Sequence, residues 1–208
     1  MTDKKGKIGV LIEEHFDETE FRRFNEYYPE HGYDVEYISH LWGSKEITFK
    51  GNDFTAEVTV KVELNDVEPT DYKGIILIGA YAMDRLRYEE HPREDVPNQS
   101  PAVRFLRKAV KAMDEGKIKI GTICHSLWLF CADPVLMKGR KVTCAHNIMY
   151  DVKHAGGILI YDGDQLISTY VDGSLVTARH PGVIEEFLPL FLEEMEKPPK
   201  PIKQPTYY

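Results

Sequence analysis

The sequence predicts a doubly wound α/β protein, a mostly parallel sheet with helices on both faces. Three observations carry that prediction. Strand-like and helix-like segments alternate from residue 7 to residue 196. The segment Gly74-Ile-Ile-Leu-Ile-Gly79 is apolar throughout, as strands buried on both faces of a parallel sheet are. Residues 117–123 form a second apolar run, which stops at Cys124-His125 and gives way at once to a helix-like run, Leu127 to Phe130.

Taken in order, residues 7–12 read as a buried strand. Residues 17–31 follow as a helix, with Phe21, Phe24, Tyr27 and Tyr28 at helical spacing and Gly32 as its stop. Residues 34–39 alternate as a second strand. Residues 44–63 carry Gly51-Asn52-Asp53 between alternating segments, a hairpin signal. Residues 74–79 are the apolar strand. Residues 101–115 make an amphipathic helix that opens on Pro101 and ends at Gly116. After the Cys124 strand and its helix come a short strand (141–145) and a helix (148–154) closed by Gly156-Gly157. Late strands at 157–161, 165–169 and 174–178 are joined by Asp-Gly turns, and residues 181–196 form the closing helix. One domain, 1–196, is expected, with an extended Pro/Lys-rich tail at 197–208.

Composition narrows the function. A net charge of −8 argues against nucleic acid and anionic membrane as partners. The three cysteines, 124, 131 and 144, cannot all pair and show no metal spacing, and the histidines show none either, so neither metal nor cofactor is expected. With no signal-peptide pattern and no membrane-length apolar run, a cytoplasmic, thiol-reduced protein is expected.

In a doubly wound sheet, ligands bind beyond the C-terminal strand ends. Three loops leave such ends, 13–20, 79–85 and 124–126. Cys124 sits where a strand bends into a helix, an arrangement expected to strain the backbone, expose the sulfur and lower its pKa through the helix N-terminus. It is read as the nucleophile, whereas Cys131 and Cys144 read as space-filling. His125 cannot readily face its own neighbour on a helix, leaving it a partner carboxylate at a subunit contact or a capping role. Glu13, Glu14 and Glu18 read as a solvated acidic loop. Asp17 reads as the helix N-cap at the edge of the site. Glu20 reads either as its capping-box partner or as a buried acid beside the thiol, with a raised pKa, that moves protons. Gly79, Ala80 and the backbone after Cys124 as far as Ser126 supply candidate oxyanion donors. Asp84 begins the next helix, and His146 and His180 border the pocket. Phe16, Tyr81, Trp128 and Tyr150 suggest that the pocket is small.

Together these residues resemble the ThiJ/PfpI superfamily, within the class I glutamine-amidotransferase-like fold, and especially its PfpI branch of intracellular proteases and stress proteins. His15-Phe-Asp-Glu-Thr-Glu20 is similar to the family's first-loop acidic motif, Gly79-Ala80-Tyr-Ala-Met-Asp84-Arg to its glycine-pair loop, and Ile123-Cys124-His125 to its elbow. The resemblance implies a flavodoxin-like sheet and a homodimer or higher homo-oligomer. It also implies that Asp84 reaches across a subunit contact to His125. The sequence departs from the pattern at Ala80 (usually a second glycine), at Ser126-Leu127 (usually Gly-Pro), at Asp84 (usually Glu) and in a longer loop, 89–100, read as a lid or contact surface. The implied function is cysteine-dependent attack on a carbonyl, in a peptide or amide or in a reactive aldehyde such as methylglyoxal. The alternative is a redox-responsive stress protein whose cysteine is oxidised to sulfinic acid. An amidotransferase role is disfavoured, because Glu185 is badly placed to complete a triad with His180.

Overall fold

A computed structural model describes residues 4–198. Its central sheet has seven strands: β1 (Gly6–Leu11), β2 (Tyr33–Ser39), β3 (Val62–Glu63), β4 (Gly74–Leu77), β5 (Lys119–Ile123), β6 (Thr169–Asp172) and β7 (Leu175–Ala178). They lie in the order β6-β7-β5-β4-β1-β2-β3, all parallel except β6. From β1 the chain steps outward to β2 and β3, then returns to β4 on the opposite side, which places the topological switch between β1 and β4. Leu11 lies opposite Leu77, Leu77 opposite Thr122, and Ala178 opposite Ile123. The loops after β1, β4, β5 and β7 therefore open at one edge, as expected for the first three.

Helices α1 (Glu18–Glu30) and α7 (Ile184–Glu196) pack together on one face, through Phe24 against Phe187 and Tyr28 against Phe191. A side chain at Gly74 or Gly121 would collide with Phe187 or Phe191, so these two glycines let α7 seat on the sheet. The second group comprises α2 (Ala82–Leu86), α3 (Pro101–Asp114) and α4 (Trp128–Cys131). The chain then continues through α5 (Pro134–Met137) and α6 (Met149–His154). The N-cap Asp17, the helix-opening Pro101 and the stops Gly32 and Gly116, both at positive φ, match the sequence signals, and Ser100 caps α3 just ahead of Pro101.

Several boundaries differ. The helix expected directly after Cys124 is delayed: residues 124–127 form turns and α4 is a single turn. Asp133 ends it by going extended (φ −135°, ψ 97°), as a residue before proline must, and caps α5 through its side chain. The 141–145 strand shortens to Lys141–Val142, paired in parallel with Ile158–Leu159 outside the main sheet. The 165–169 segment divides into a small hairpin with Tyr161–Asp162 and the start of β6, which runs on to Asp172. Both Asp-Gly turns form, with Gly163 and Gly173 at φ near 60°. The expected hairpin forms as Ile47–Lys50 against Glu57–Val60. Loop 89–100 carries no helix or strand and is tied back through Asn98, which donates to the Arg87 carbonyl at 2.8 Å and accepts from Arg107 at 2.6 Å. Of the expected tail, residues 199–208 lie outside the described residues.

Candidate active site

The elbow after β5 is built by its neighbours. The Cys124 N–H donates to the Ala178 carbonyl at 3.0 Å, and its own carbonyl accepts from the Ala145 N–H at 3.1 Å. Ser126 closes the turn: its N–H donates to the Ile123 carbonyl at 3.1 Å and its Oγ accepts from the Ile123 N–H at 2.8 Å. Gripped on both sides, Cys124 adopts φ +58°, a conformation that costs a non-glycine residue about 1–3 kcal/mol and that the surroundings must enforce. Its residual exposure is 9%.

Glu20 reaches this sulfur from α1. Its backbone N–H donates to Asp17 Oδ1 at 2.9 Å, confirming the cap. Its side chain does not return to Asp17 as a capping box would. Oε2 accepts instead from the Gly79 N–H at 2.7 Å, while Oε1 is buried without a partner among the described residues. Gly79 is the spacer between acid and nucleophile: a Cβ there would collide with Glu20 Oε1 and stand 3.0 Å from Cys124 Cβ.

Burial, reinforced by the charge of Asp17 and only partly opposed by the Gly79 bond, holds the Glu20 carboxyl well above the usual carboxylate range. Its protonated form is therefore favoured more than in an exposed carboxyl. Burial also pushes the Cys124 thiol up to about 12; the Glu20 charge adds to this, while the Ala80 and His125 N–H groups aimed at the sulfur oppose it. The Glu20 contribution operates only while that carboxyl is ionised. The resting sulfur is thus a thiol, beside a carboxyl whose protonated form burial favours, which corrects the expectation that the bend by itself creates a thiolate. The single turn of α4 offers no developed helix dipole, and burial dominates. Burial pushes Cys131 and Cys144 up to about 12 as well, so Cys124 is set apart by its position and not by its acidity.

The oxyanion donors are narrower than the sequence suggested. The Gly79 N–H is committed to Glu20 and both Ser126 groups to the turn, which leaves the N–H groups of Ala80 and His125 facing the sulfur. Ala80 stands at φ +56°, held by a bridge to Phe16 and by Tyr81 N–H donating to the His15 carbonyl at 3.0 Å. Left-handed backbone costs alanine about 1–2 kcal/mol. Glycine would avoid that cost while adding about 0.5–1 kcal/mol of unfolded-state entropy. Ala80→Gly is therefore expected to stabilise the protein by up to about 1 kcal/mol in urea denaturation, and a loss of stability would show that the alanine methyl packs usefully.

Within this chain His125 is held by a residue the sequence did not single out. Its Nε2 lies 2.8 Å from Asn147 Oδ1, its ring is flanked by Trp128 (4.8 Å) and Tyr81 (5.6 Å), and Nδ1 is buried without a partner among the described residues. No spacing rule links residues 125 and 147, because the pairing depends on the turn that carries Asn147 past the elbow. Asp84 does not join them here. It is exposed, pairs with Arg87 at 3.2 Å and lines a separate cleft of about 430 Å³ with Glu13, Arg85, Trp42 and Tyr88.

The acidic loop is not solvated. Glu13 is buried against Arg85 at 2.5 Å. Glu14 accepts from the Lys50 N–H at 2.8 Å. Glu18, also buried, binds the Thr55 hydroxyl and the Thr55 and Ala56 N–H groups, which hold its carboxyl below the usual range despite desolvation. Glu14 and Glu18 dock the 47–60 hairpin onto the site loop, and Glu13 ties that loop to α2. Tyr150 is 71% exposed and does not narrow the pocket, whereas Phe16 is fully buried and bridges to Ala80.

A cleft of about 660 Å³ is bordered by Ala145, His146, Leu166, Arg179 and His180; it adjoins the elbow through Ala145, which donates to the Cys124 carbonyl, but neither Cys124 nor Glu20 lines it. Among the described residues no three His, Cys, Asp or Glu side chains converge as metal ligands would.

The sequence matches the model of the DJ-1/PfpI family over residues 6–194. It is 29% identical to protein/nucleic acid deglycase 2 of Escherichia coli (strain K12) over 181 residues, covering 87% of this chain and 92% of that one. It is 28% identical over 181 residues to YraA of Bacillus subtilis (strain 168), whose name assigns it provisionally to the cysteine proteases, covering 87% and 93%. The fold is similar to that of Schizosaccharomyces pombe DJ-1, with a TM-score of 0.71 over 92% of each chain at 15% identity.

Proposed function

This chain belongs to the DJ-1/PfpI family, and from its site we propose a cysteine-dependent enzyme acting on the carbonyl of a small reactive aldehyde of the glyoxal type. The observation that carries this reading is Glu20, a wholly buried carboxyl, raised in pKa by that burial, with one unpartnered oxygen facing the Cys124 side of Gly79. Sulfur adds to the aldehyde carbon while Glu20 gives its proton to the carbonyl oxygen and takes the proton that leaves the thiol. No net charge is created in a site that would penalise it. The Ala80 and His125 N–H groups steady the oxygen during the addition. Transfer of hydrogen from the first to the second carbon of the hemithioacetal then gives a thioester. Water releases a 2-hydroxy acid and restores the thiol, so the net reaction is oxoaldehyde plus water, with no external oxidant. The likeness to a deglycase supports carbonyl chemistry of this kind.

Two observations weigh against the other readings. A peptidase must admit an extended chain and protonate a leaving amine, whereas Cys124 is 9% exposed and its acid is fully enclosed. A peroxide sensor works through a thiolate, whereas this thiol rests protonated. The test is turnover of methylglyoxal and of unstructured peptides by the wild type and by Cys124→Ser. Aldehyde turnover is expected to fall by about 10³-fold or more in the variant. Unchanged turnover, or peptide cleavage outpacing aldehyde conversion in the wild type, would overturn the proposal.

A further inference from the structure

The cleft beside the elbow holds a positive charge that its immediate contacts do not neutralise. Arg179 directly follows Ala178, whose carbonyl binds the Cys124 N–H, so the end of β7 supports the nucleophile and delivers this guanidinium in consecutive residues. Its Nη1 donates to the Leu166 carbonyl at 2.8 Å and to Gln165 Oε1 at 3.3 Å, both neutral acceptors on the small hairpin that forms another wall of the cleft. These bonds fix a half-buried cation in place. They use one end of the guanidinium and, among the described residues, leave the Nε and Nη2 fork, which suits a carboxylate or phosphate in a two-point grip. Asp164 also lines the cleft but forms no ion pair with Arg179 among the described residues.

A second donor stands nearby. His180 Nδ1 accepts the Gly182 N–H at 2.9 Å, which places the proton of the neutral ring on Nε2. The cleft therefore presents an arginine fork and an imidazole N–H on the two residues that follow Ala178, the strand end that holds the Cys124 N–H. With a chain charge of −8, the overall field does not draw anions, so any attraction must come from such a local arrangement.

We propose that this cleft binds the anionic end of the substrate. Resting on the aldehyde reading, this makes the substrate class an α-oxoaldehyde that carries a carboxylate or a phosphate, with Arg179 setting the preference. The test compares 4,5-dioxovalerate with its methyl ester, and a phosphorylated three-carbon oxoaldehyde with its unphosphorylated form. Wild-type kcat/KM should favour at least one anion over its neutral partner by about 10-fold or more, and whichever pair shows the preference identifies the anion. In Arg179→Gln that ratio should collapse toward one, a loss of about 10–100-fold carried mainly in KM. Equal rates for acid and ester, and for phosphate and alcohol, in a wild type that converts methylglyoxal would overturn the proposal. The wild-type comparison needs no variant to fold. Calorimetry of glutarate and glycerol phosphate on Cys124→Ser protein separates this site from the chemistry. If such binding is lost on adding Arg179→Gln, the anion site stands even where no aldehyde is turned over, and only the aldehyde reading falls.

Discussion

Gly79→Ala is expected to lower turnover by about 10²-fold or more while the sheet remains folded. The added methyl group would collide with Glu20 Oε1 and press on Cys124 Cβ at 3.0 Å, so acid and nucleophile cannot both keep their places. Displacing a reacting group by about 1 Å is enough for a loss of that size. The stability cost should be that of overpacking, about 1–3 kcal/mol, and no larger, because Gly79 does not require left-handed backbone. The measurement is kcat/KM for the aldehyde together with the urea midpoint. A variant that is destabilised but converts aldehyde at the wild-type rate would show that Gly79 spaces the core and not the chemistry. Ala80→Gly, one residue on, provides the contrast: relief of backbone strain without intrusion between the acid and the sulfur.

The sheet was legible because its central strands are largely apolar and its two longest early helices carry local start and stop signals. Gly74 to Leu77 could be buried only on both faces, and Asp17, Pro101, Gly32 and Gly116 mark their helix ends by local chemistry. The elbow was legible for the same reason, as an apolar strand ending in Cys124. What was hidden depends on tertiary placement. The acids of residues 13–18 look solvated in sequence, because nothing local reveals that Arg85 and the Thr55 turn meet Glu13 and Glu18. The contact between His125 and Asn147 joins positions 22 residues apart through an irregular turn. Most consequential was the state of the sulfur. A strand-to-helix bend argues for a thiolate only if a helix of some length follows and the site stays wet. The Asp133-Pro134 break and the closure over Cys124 remove both conditions. The resting thiol then directs attention to Glu20, whose burial is the property that makes it useful.

Glu20→Gln separates the two consequences of that burial. Turnover should fall by about 10²–10⁴-fold, since the amide keeps the shape of the side chain and can still accept the Gly79 N–H but cannot pass a proton. Stability should move the other way. In the unfolded chain Glu20 ionises near 4.5, while in the folded protein its pKa lies well above that. Between those two values the folded state holds a proton that the unfolded state has released, so stability falls as pH rises. The contribution is fully present below pH 4.5 and is lost progressively up to the folded pKa, at no more than about 1.4 kcal/mol per pH unit. Asp17 and Glu13, also raised by burial, bend the wild-type curve in the same direction, so the informative quantity is the difference between the two proteins. Urea midpoints taken from pH 4 to pH 8 should coincide at the acid end and diverge above pH 4.5, with Glu20→Gln the more stable. A difference that runs the opposite way, with the wild type gaining on the variant as pH rises, would mean that Glu20 is ionised beside Cys124. Proton delivery to the carbonyl oxygen would then have to come from another group. A variant more stable yet nearly inactive would show that the chain retains an acid in its core at a cost to its own folding, which is what a proton-transfer role requires.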